Sequence, residues 1–323
     1  MDEFGFISQV LSQLAGPEGL ALKDDAALWS PPKGQQAVIN LDTLVEGVHF
    51  PLGKFDHRLA EKLLAVNVSD LTAKAATPLG YLLSLSLGKN VTEDGLFDFC
   101  NGLARAQSHY GVKLWGGDTT RSSGETNLSL TLIGTVESGK MLKRSGARPG
   151  DLLCVTGTIG DAWLGLQCVQ GKMNATQAKT RSWLERYFTP EPPFELAGGL
   201  GKYASAALDV SDGLVADAGH LAQVSGVGVE IYLTTLPLSS DASGWLLCQE
   251  DHIEARLKLA TGGDDYQCLF AIKPSKLSRL QKLARQAGIR ITTIGKITKG
   301  QGVRCLDSIG RDIPVETPGY SHF

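Results

Sequence analysis

The chain has 323 residues, of which 42% are hydrophobic and 20% are charged, and its formal net charge is -3. This composition is typical of a globular protein of about two domains, and the slightly acidic balance argues against binding to nucleic acid or to a membrane surface. The six cysteines form no CxxC pair and no secretory leader is recognisable, so we expect reduced thiols and a cytoplasmic location.

Apolar runs that end at glycines predict alternating helices and strands, as in an α/β or α+β fold. In the first half, helices are predicted over 6–14, 58–76 and 94–110, and strands over 37–41, 79–87, 112–115 and 128–136. The polar, basic segment 143–151 follows and is interpreted as a linker. The predicted domains are therefore 1–142 and 143–323.

The second half continues the alternation. Strands are predicted over 152–156, 207–210, 230–233, 268–272 and 290–294. Helices are predicted after Gly160, over 176–188 and 195–205, near Leu214, and over 276–287. The common nucleotide-binding motifs are absent, because no Gly-Lys pair is followed by Ser or Thr and no GxGxxG occurs. Any nucleotide chemistry would need another device.

Aspartates recur beside small residues at predicted element ends. They form six motifs: Asp24-Asp25, Asp42-Thr-Leu, Asn67-Val-Ser-Asp70, Gly116-Gly117-Asp118, Asp209-Val-Ser211-Asp212-Gly213 and Gly262-Gly-Asp264-Asp265. Taken singly, each motif fits a turn or a helix cap better than a ligand. Mg²⁺ prefers carboxylate and phosphate oxygens, and aspartates that face a polyphosphate need bridging cations. Together, the motifs predict a Mg²⁺-dependent nucleotide or phosphate enzyme.

The spacing of these residues gives local expectations. Asn67 and Asp70 are three apart, which places both on one face of their predicted helix. Asp209 and Asp212 flank a predicted strand end, where ligands commonly bind in α/β folds. These pairs are therefore candidate ligands.

Glycines beside the aspartates suggest close approach to a ligand. Gly117 and Gly213 are expected to let backbone amides reach phosphate oxygens. Residues outside the motifs, namely Asp217, Asp241 and His220, are interpreted as surface or capping residues.

The order of the motifs resembles the thiamine-monophosphate kinase family nearly end to end. The most specific parts are Asp42-Thr-Leu-Val-Glu-Gly-Val-His49-Phe50 and the terminal Gly319-Tyr320-Ser-His-Phe323. The resemblance implies a two-domain α/β fold like that of aminoimidazole ribonucleotide synthetase, in a homodimer joined through the N-terminal sheets. It implies direct transfer of the γ-phosphoryl group of ATP to thiamine monophosphate, with several Mg²⁺ ions.

The resemblance also implies roles for particular positions. Metal ligands are expected at Asp25, Asn40, Leu41, Asp42, Asp70, Asp118, Asp209 and Asp212. Contacts with ATP are expected at Gly117, Asp118, Arg144 and Ser211. Contacts with thiamine phosphate are expected at His49, Asp264 and Tyr320. The residues expected to act in the transfer itself are Asp118, Arg144 and Asp212.

Three positions depart from the family pattern. Lys23 stands where Gly is usual before the first Asp pair. Leu41 stands where Ser or Thr is common, so a metal contact there must use the backbone. Asp264 stands where Glu is usual, and its shorter side chain implies a looser or water-mediated contact with the thiamine pyrimidine.

The acceptor is already an anion at neutral pH, because the second pKa of a phosphate ester is about 6. A general base is therefore not required. Two alternatives remain open at this point: a related enzyme of the same superfamily that phosphorylates another small molecule, and a non-catalytic nucleotide-binding subunit. His49 has an alternative role as a hydrogen-bonded loop histidine.

Overall fold

A computed structural model describes residues 3–173 and 177–321. The chain divides into two compact units, a first unit of Met1–Leu71 and Ala76–Lys140 and a second unit of Thr72–Ala75 and Met141–Phe323. Each unit contains a sheet and helices, so the expected two-domain α/β character is confirmed. Thr176 of a predicted helix, and His322 and Phe323 of the C-terminal motif, lie outside the described residues.

The first unit is built on a four-stranded sheet. Its helices are α1 (Glu3–Gln9), α2 (His57–Ala73) and α3 (Glu93–Tyr110), and its strands are β1 (Gln35–Val45), β2 (Thr77–Leu87), β3 (Lys113–Arg121) and β4 (Asn127–Glu137). The strand order is β1-β4-β2-β3. Strands β2 and β3 are parallel, and the other neighbours are antiparallel.

The inner face of this sheet packs against α2 and α3, and the outer face is partly exposed. Gln107 of α3 donates a hydrogen bond to the Tyr81 hydroxyl of β2 at 3.0 Å, which fixes α3 on the inner face. The outer face carries apolar side chains, because Ile39, Leu41 and Leu82 are 62%, 61% and 39% exposed. Fully buried residues of the inner face include Leu128, Leu130 and Leu132.

The second unit is built on a seven-stranded sheet. Its strands are β5 (Leu152–Thr156), β6 (Ala204–Asp209), β7 (Gly228–Tyr232), β8 (Cys268–Ile272), β9 (Ile291–Thr298), β10 (Gly302–Leu306) and β11 (Asp312–Ile313). Its helices are α4 (Asp161–Val169), α5 (Gln177–Phe188), α6 (Ala197–Tyr203), α7 (Leu214–Ser225), α8 (Ser240–Leu246), α9 (His252–Thr261) and α10 (Pro274–Gln286). The strand order is β11-β10-β7-β9-β5-β8-β6.

Several predicted boundaries are wrong. Strand β1 runs beyond the predicted 37–41, so Asp42 lies inside it. Strand β3 continues through the two glycines at which the prediction stops, so Asp118 also lies within a strand. The predicted helix 195–205 ends at Tyr203, because the chain pairs with β8 from Ala204 onward. Pairing with neighbouring strands overrides the local signal in each case.

The first predicted helix, 6–14, is also interrupted. Helix α1 ends at Gln9, and Leu11–Leu14 forms a separate 3-10 turn. Helices α8 and α9 and strands β10 and β11 are additional to the prediction. Within the described ranges, no helix combines the length and the apolar character needed to cross a membrane.

Glu46 stabilises the connection after β1. Glu46 is 7% exposed, and its carboxylate accepts hydrogen bonds from the N–H groups of Gly53 at 2.7 Å and Thr126 at 2.9 Å. Burial acts to raise the pKa of Glu46, but these backbone hydrogen bonds outweigh it, and the pKa is lowered. A lowered pKa means that the charged form is favoured in the folded state.

We expect Glu46→Gln to lower the free energy of unfolding at pH 7 by about 1–3 kcal/mol, because a buried backbone donor loses its charged acceptor. The stabilisation by Glu46 is present above its unfolded pKa and is lost as the pH falls through the lower folded pKa. Urea unfolding of the wild type and the variant at pH 7 and at pH 3 would measure the loss of stability and its pH dependence. An equal loss at the two pH values would contradict a role for the charge.

Candidate functional site

Two polar side chains of β1 face helix α2. Side chains two apart on a strand point the same way, so Asn40 and Asp42 share a face. The Asn40 amide donates to Asp42 at 3.2 Å and to Asp70 at 3.0 Å, and it lies 3.1 Å from the Asn67 side-chain oxygen. The prediction that Asn67 and Asp70 share one helix face is confirmed. We call these four residues the β1–α2 cluster.

The β1–α2 cluster is short of positive charge. Burial and, after it, the charge of Asp70 raise the pKa of Asp42 to about 7, although the hydrogen bond from Asn40 opposes the rise. The buried side-chain oxygen of Asn40 accepts no hydrogen bond from any described residue. Two carboxylates beside an unused amide oxygen are the ligand types that a hard divalent cation prefers. The residues present therefore fit Mg²⁺.

A second acidic group lies on the outer face of the same sheet. A cavity of about 800 Å³ is lined by Asp24, Asp25 and Asp118, together with apolar residues that include Leu41 and Trp29. The structure therefore brings the first Asp pair and the β3 aspartate to one cavity. Leu41 is apolar and points into it, so only its backbone could contact a cation.

The sheet separates the expected metal ligands of the first unit into two sets. Asp42 and Asp70 belong to the β1–α2 cluster, whereas Asp25 and Asp118 line the cavity on the opposite face. The strand register shows why, because Asp42 pairs with Leu130 on the inner face. The sequence motifs alone do not indicate this separation.

Glycine is required at position 117 by the packing of the sheet, independently of any ligand. A Cβ atom at this position would lie 1.9 Å from the carbonyl oxygen of Leu83. A larger residue would therefore break the pairing of β2 and β3 and displace Asp118, which follows it.

His49 lies in the tight loop after β1. The ring atom Nδ1 of His49 accepts a hydrogen bond from the backbone N–H of Val45 at 3.0 Å. The backbone N–H of His49 donates to the Val45 carbonyl oxygen at 2.8 Å. When the ring is neutral, its proton is therefore on Nε2. The loop hydrogen bonds match the alternative considered from sequence, and they also fix the orientation of the ring.

In the second unit, strand β6 ends at Asp209, one residue before the predicted end, and the next turn leads into α7. The N–H groups of Ser211, Asp212 and Gly213 all donate to one carboxylate oxygen of Asp217, at 3.1, 3.2 and 3.2 Å. The expectation that the amides around Gly213 serve phosphate oxygens is therefore wrong, because Asp217 already occupies them.

Asp217 belongs to this site, although the sequence alone suggests a surface or capping residue. It is 2% exposed. Burial and, after it, the charges of Asp209 and Asp212 raise its pKa well above the usual range. The ligand atoms of Asp212, Asp217 and His220 lie within 4.8 Å of one another. The available signal was the three-residue spacing of Asp217 and His220 on one helix face.

The two positions that the resemblance assigns to thiamine phosphate in this unit are tied to the same turn. The N–H of Asp264 donates to the Ser211 carbonyl oxygen at 2.8 Å, and the N–H of Tyr320 donates to that of Asp212 at 2.8 Å. The Tyr266 hydroxyl donates to the Asp264 carboxylate at 2.9 Å. The structure thus brings Asp264 and Tyr320 to Ser211 and Asp212.

Comparison with known proteins places these observations in a family. The sequence model described as "AIR synthase related protein, N-terminal domain" matches residues 23–136, and that described as "AIR synthase related protein, C-terminal domain" matches residues 148–307. A thiamine-monophosphate kinase of Caulobacter vibrioides is 40% identical over an alignment 323 residues long, which covers 99% of this chain and 90% of that relative. The chain belongs to the thiamine-monophosphate kinase family.

Solved structures agree with membership of the thiamine-monophosphate kinase family. The crystal structure of thiamine-monophosphate kinase from Stenotrophomonas maltophilia K279a has a TM-score of 0.84 and 36% identity, covering 94% of this chain and 96% of that one. The structure described as "AaThiL complexed with AMPPCP and TMP" has a TM-score of 0.79 and 32% identity, covering 99% of this chain and 97% of that one. The fold expected from the resemblance is therefore confirmed.

The residue expected to contact the thiamine pyrimidine, Asp264, has an unusual backbone conformation. Asp264 has a left-handed backbone with φ of 63°, a region that Asp tolerates better than most residues with longer side chains. Its neighbour Asp265 is buried and accepts hydrogen bonds from the N–H of Gly160 at 2.9 and 3.1 Å. Asp265 is therefore explained as a cap of α4.

Arg144, an expected ATP contact in this family, lies on the exposed segment before β5. Its carbonyl oxygen accepts a hydrogen bond from the Ser225 hydroxyl at 3.4 Å. Lys23 is exposed as well. Both cations are therefore accessible to an anionic ligand.

Proposed function

We propose that this protein is a thiamine-monophosphate kinase, which transfers the γ-phosphoryl group of ATP to thiamine monophosphate and forms thiamine diphosphate. The observation that carries the proposal is the β1–α2 cluster, with two carboxylates beside an unused amide oxygen. It supports cation-assisted phosphoryl chemistry. The substrate is supported by 40% identity, nearly end to end, to an enzyme of that name.

Magnesium is proposed as the cation of this reaction. In the β1–α2 cluster, Asp42, Asp70 and the side-chain oxygen of Asn40 would hold it, because Mg²⁺ takes oxygen ligands. When bound, Mg²⁺ neutralises negative charge on phosphate oxygens. Further proposed ligand positions are Asp25, Leu41 through its backbone, Asp118, Asp209 and Asp212.

The chain's own residues are proposed to bind and align the two phosphates. Gly117, Asp118, Arg144 and Ser211 are the proposed ATP contacts. Arg144 supplies a permanent positive charge, because a guanidinium remains protonated at any relevant pH. Asp118, Arg144 and Asp212 are the residues proposed to act in the transfer. Alignment and charge neutralisation then account for the rate without a general base.

Thiamine monophosphate is proposed to contact His49, Asp264 and Tyr320. The Tyr266 hydroxyl holds the Asp264 carboxylate in one orientation. Tyr320 is 53% exposed, so its ring is accessible for contact with an aromatic ring of the substrate. The phosphate of this substrate is an anion at neutral pH and can attack without losing a proton.

The proposed substrate contact predicts a selective effect. Changing Asp264 to Glu should alter the KM for thiamine monophosphate by about tenfold and the KM for ATP much less, because one methylene in a contact is worth about 1–3 kcal/mol. Steady-state kinetics with each substrate varied in turn would measure this. Tyr266→Phe removes the hydroxyl that orients Asp264 and should affect the same KM. Equal effects on both substrates would argue against the placement.

We also propose that two copies pair through the outer face of the four-stranded sheet. Ile39, Leu41 and Leu82 expose apolar surface there, and such patches commonly mark protein contacts. Pairing of the same face on both copies would give a two-fold symmetric dimer. Light scattering on the purified protein would report whether the mass is twice 34.4 kDa.

The decisive experiment is incubation with ATP, Mg²⁺ and thiamine monophosphate, followed by chromatographic detection of thiamine diphosphate. We expect product with Mg²⁺ and none after chelation with EDTA. Product only from other acceptors in a substrate panel would favour a related kinase of the superfamily. Binding of ATP with no product from any acceptor would favour a non-catalytic subunit.

A further inference from the structure

The turn at residues 211–213 has every backbone hydrogen-bonding group occupied. Its three N–H groups donate to the Asp217 carboxylate at 3.1–3.2 Å. Its carbonyl oxygens accept from the N–H groups of Asp264, Tyr320 and Asp217 at 2.8, 2.8 and 2.9 Å. The backbone of this turn therefore has no unused donor, and the side chains of Ser211 and Asp212 are what it can offer to a ligand.

We propose that Asp217 is a positioning residue, which holds this turn so that the side chains of Ser211 and Asp212 are aligned for the metal–nucleotide complex. The inference rests on the proposed function and extends it to a residue that contacts no substrate itself. Asp217 is buried behind the turn, at 2% exposure, and acts through the backbone it binds.

The direction of these hydrogen bonds distinguishes Asp217 from an ordinary helix cap. A capping residue precedes its helix and accepts from N–H groups inside the first turn. Asp251 does this for α9, accepting from the N–H groups of Ile253 at 2.8 Å and Glu254 at 3.0 Å. Asp217 instead lies inside α7 and reaches back to three N–H groups before it. The hydrogen bonds therefore define the shape of the turn as well as the start of the helix.

The choice of a carboxylate also points beyond stability. The ligand atoms of Asp212 and Asp217 lie within 4.8 Å of each other, so a second negative charge lies close to Asp217. A neutral acceptor could bond the same amides without this repulsion. A cation bound at Asp209 and Asp212 would offset the repulsion, so the arrangement suits a turn whose occupied state contains a metal.

The same turn connects two groups of proposed contacts. Its carbonyl oxygens hold Asp264 and Tyr320, the proposed thiamine phosphate contacts, while its side chains include the proposed ATP and metal contacts Ser211 and Asp212. Loss of Asp217 should therefore affect the metal dependence first and the KM for thiamine monophosphate as well. A merely structural residue would change neither in the protein that remains folded.

The test uses Asp217→Ala, which removes the acceptor, and Asp217→Asn, which keeps one oxygen and loses the charge. At equal folded concentration, we expect Asp217→Ala to raise the Mg²⁺ concentration for half-maximal rate by about tenfold or more, as for residues that orient metal ligands. Asp217→Asn should lie between this variant and the wild type. Asp251→Asn alters a carboxylate that also binds backbone amides and should leave the kinetics unchanged.

Several outcomes would overturn the proposal. If both folded variants keep the wild-type kcat, KM and Mg²⁺ dependence, Asp217 contributes only to stability. If Asp217→Ala does not fold, the same comparison is made with Asp217→Asn. If the wild type forms no thiamine diphosphate, the proposed function fails, and calorimetry with Mg²⁺ and AMPPCP then decides the positioning role. Equal binding by wild type and variants, or no binding at all, would exclude it.

Discussion

Purified Asp118→Asn protein should keep its fold and lose at least about a hundredfold in kcat/KM. Asp118 is an exposed residue of β3, and such surface changes usually shift stability by within about 0.5 kcal/mol. A carboxylate that faces a metal–phosphate complex is worth several kcal/mol in the transition state, and each ~1.4 kcal/mol is tenfold in rate. Kinetics of thiamine diphosphate formation, with calorimetry of Mg²⁺–ATP binding, would measure both losses.

A matched control separates this effect from a general change of charge. Glu125 is exposed in the connection between β3 and β4, so Glu125→Gln removes one negative charge from the same unit. It should retain the wild-type rate. Near-normal activity of Asp118→Asn would show that the cavity lined by Asp24, Asp25 and Asp118 is not the phosphate site.

The fold could be predicted as far as local signals reach. The spacing of apolar residues predicts most of the helices and strands, because the pattern that marks each one is contained within its own short segment of sequence. Strand β3 shows the limit: the glycines before Asp118 predict a strand end, yet pairing with β2 carries the strand on to Arg121. Gly117 is needed there because its backbone approaches Leu83 closely. A requirement set by a neighbouring strand cannot be read from one segment.

For the candidate site, the sequence predicts which residues are possible ligands but not how they are arranged. Motif spacing identified Asp42, Asp70 and Asp118 as candidate ligands. It could not show that the first two face α2 while the third faces the opposite side, because that depends on strand order and register. Asp217 was missed as a site residue for a related reason. The sequence shows only that Asp217 and His220 share one helix face, and the role of Asp217 depends on how the preceding turn folds back.

The second large effect is expected at the β1–α2 cluster, where activity and stability should change in opposite directions. Asp42 is held beside Asp70 with its pKa raised to about 7, first by burial and then by that neighbouring charge. A raised carboxyl pKa means that ionisation of Asp42 destabilises the folded state. This destabilisation is absent below the unfolded pKa of ~3.9 and fully present above about pH 7. Asp42→Asn keeps the shape and removes this cost.

At pH 8 in EDTA, we expect Asp42→Asn to raise the free energy of unfolding by about 1–3 kcal/mol, a discounted fraction of the pKa shift. The gain should vanish near pH 3, where both proteins are neutral at this position. In the assay with Mg²⁺, the variant should lose at least about a hundredfold in rate. Urea unfolding and product formation would measure the two effects.

Addition of Mg²⁺ should then separate a cation site from a structural network. A ligand that binds only the native state stabilises it, so the wild type should gain stability and Asp42→Asn much less. The control is Asp56, which pairs with Arg58 at 2.6 Å. Burial acts to raise the pKa of Asp56, but the hydrogen bonds and charge of Arg58 outweigh it and the pKa is lowered. Asp56→Asn should therefore lose stability and keep activity. If Asp42→Asn also lost stability in EDTA, the Asp42 charge would be compensated within the protein, and the β1–α2 cluster would hold the fold rather than a cation.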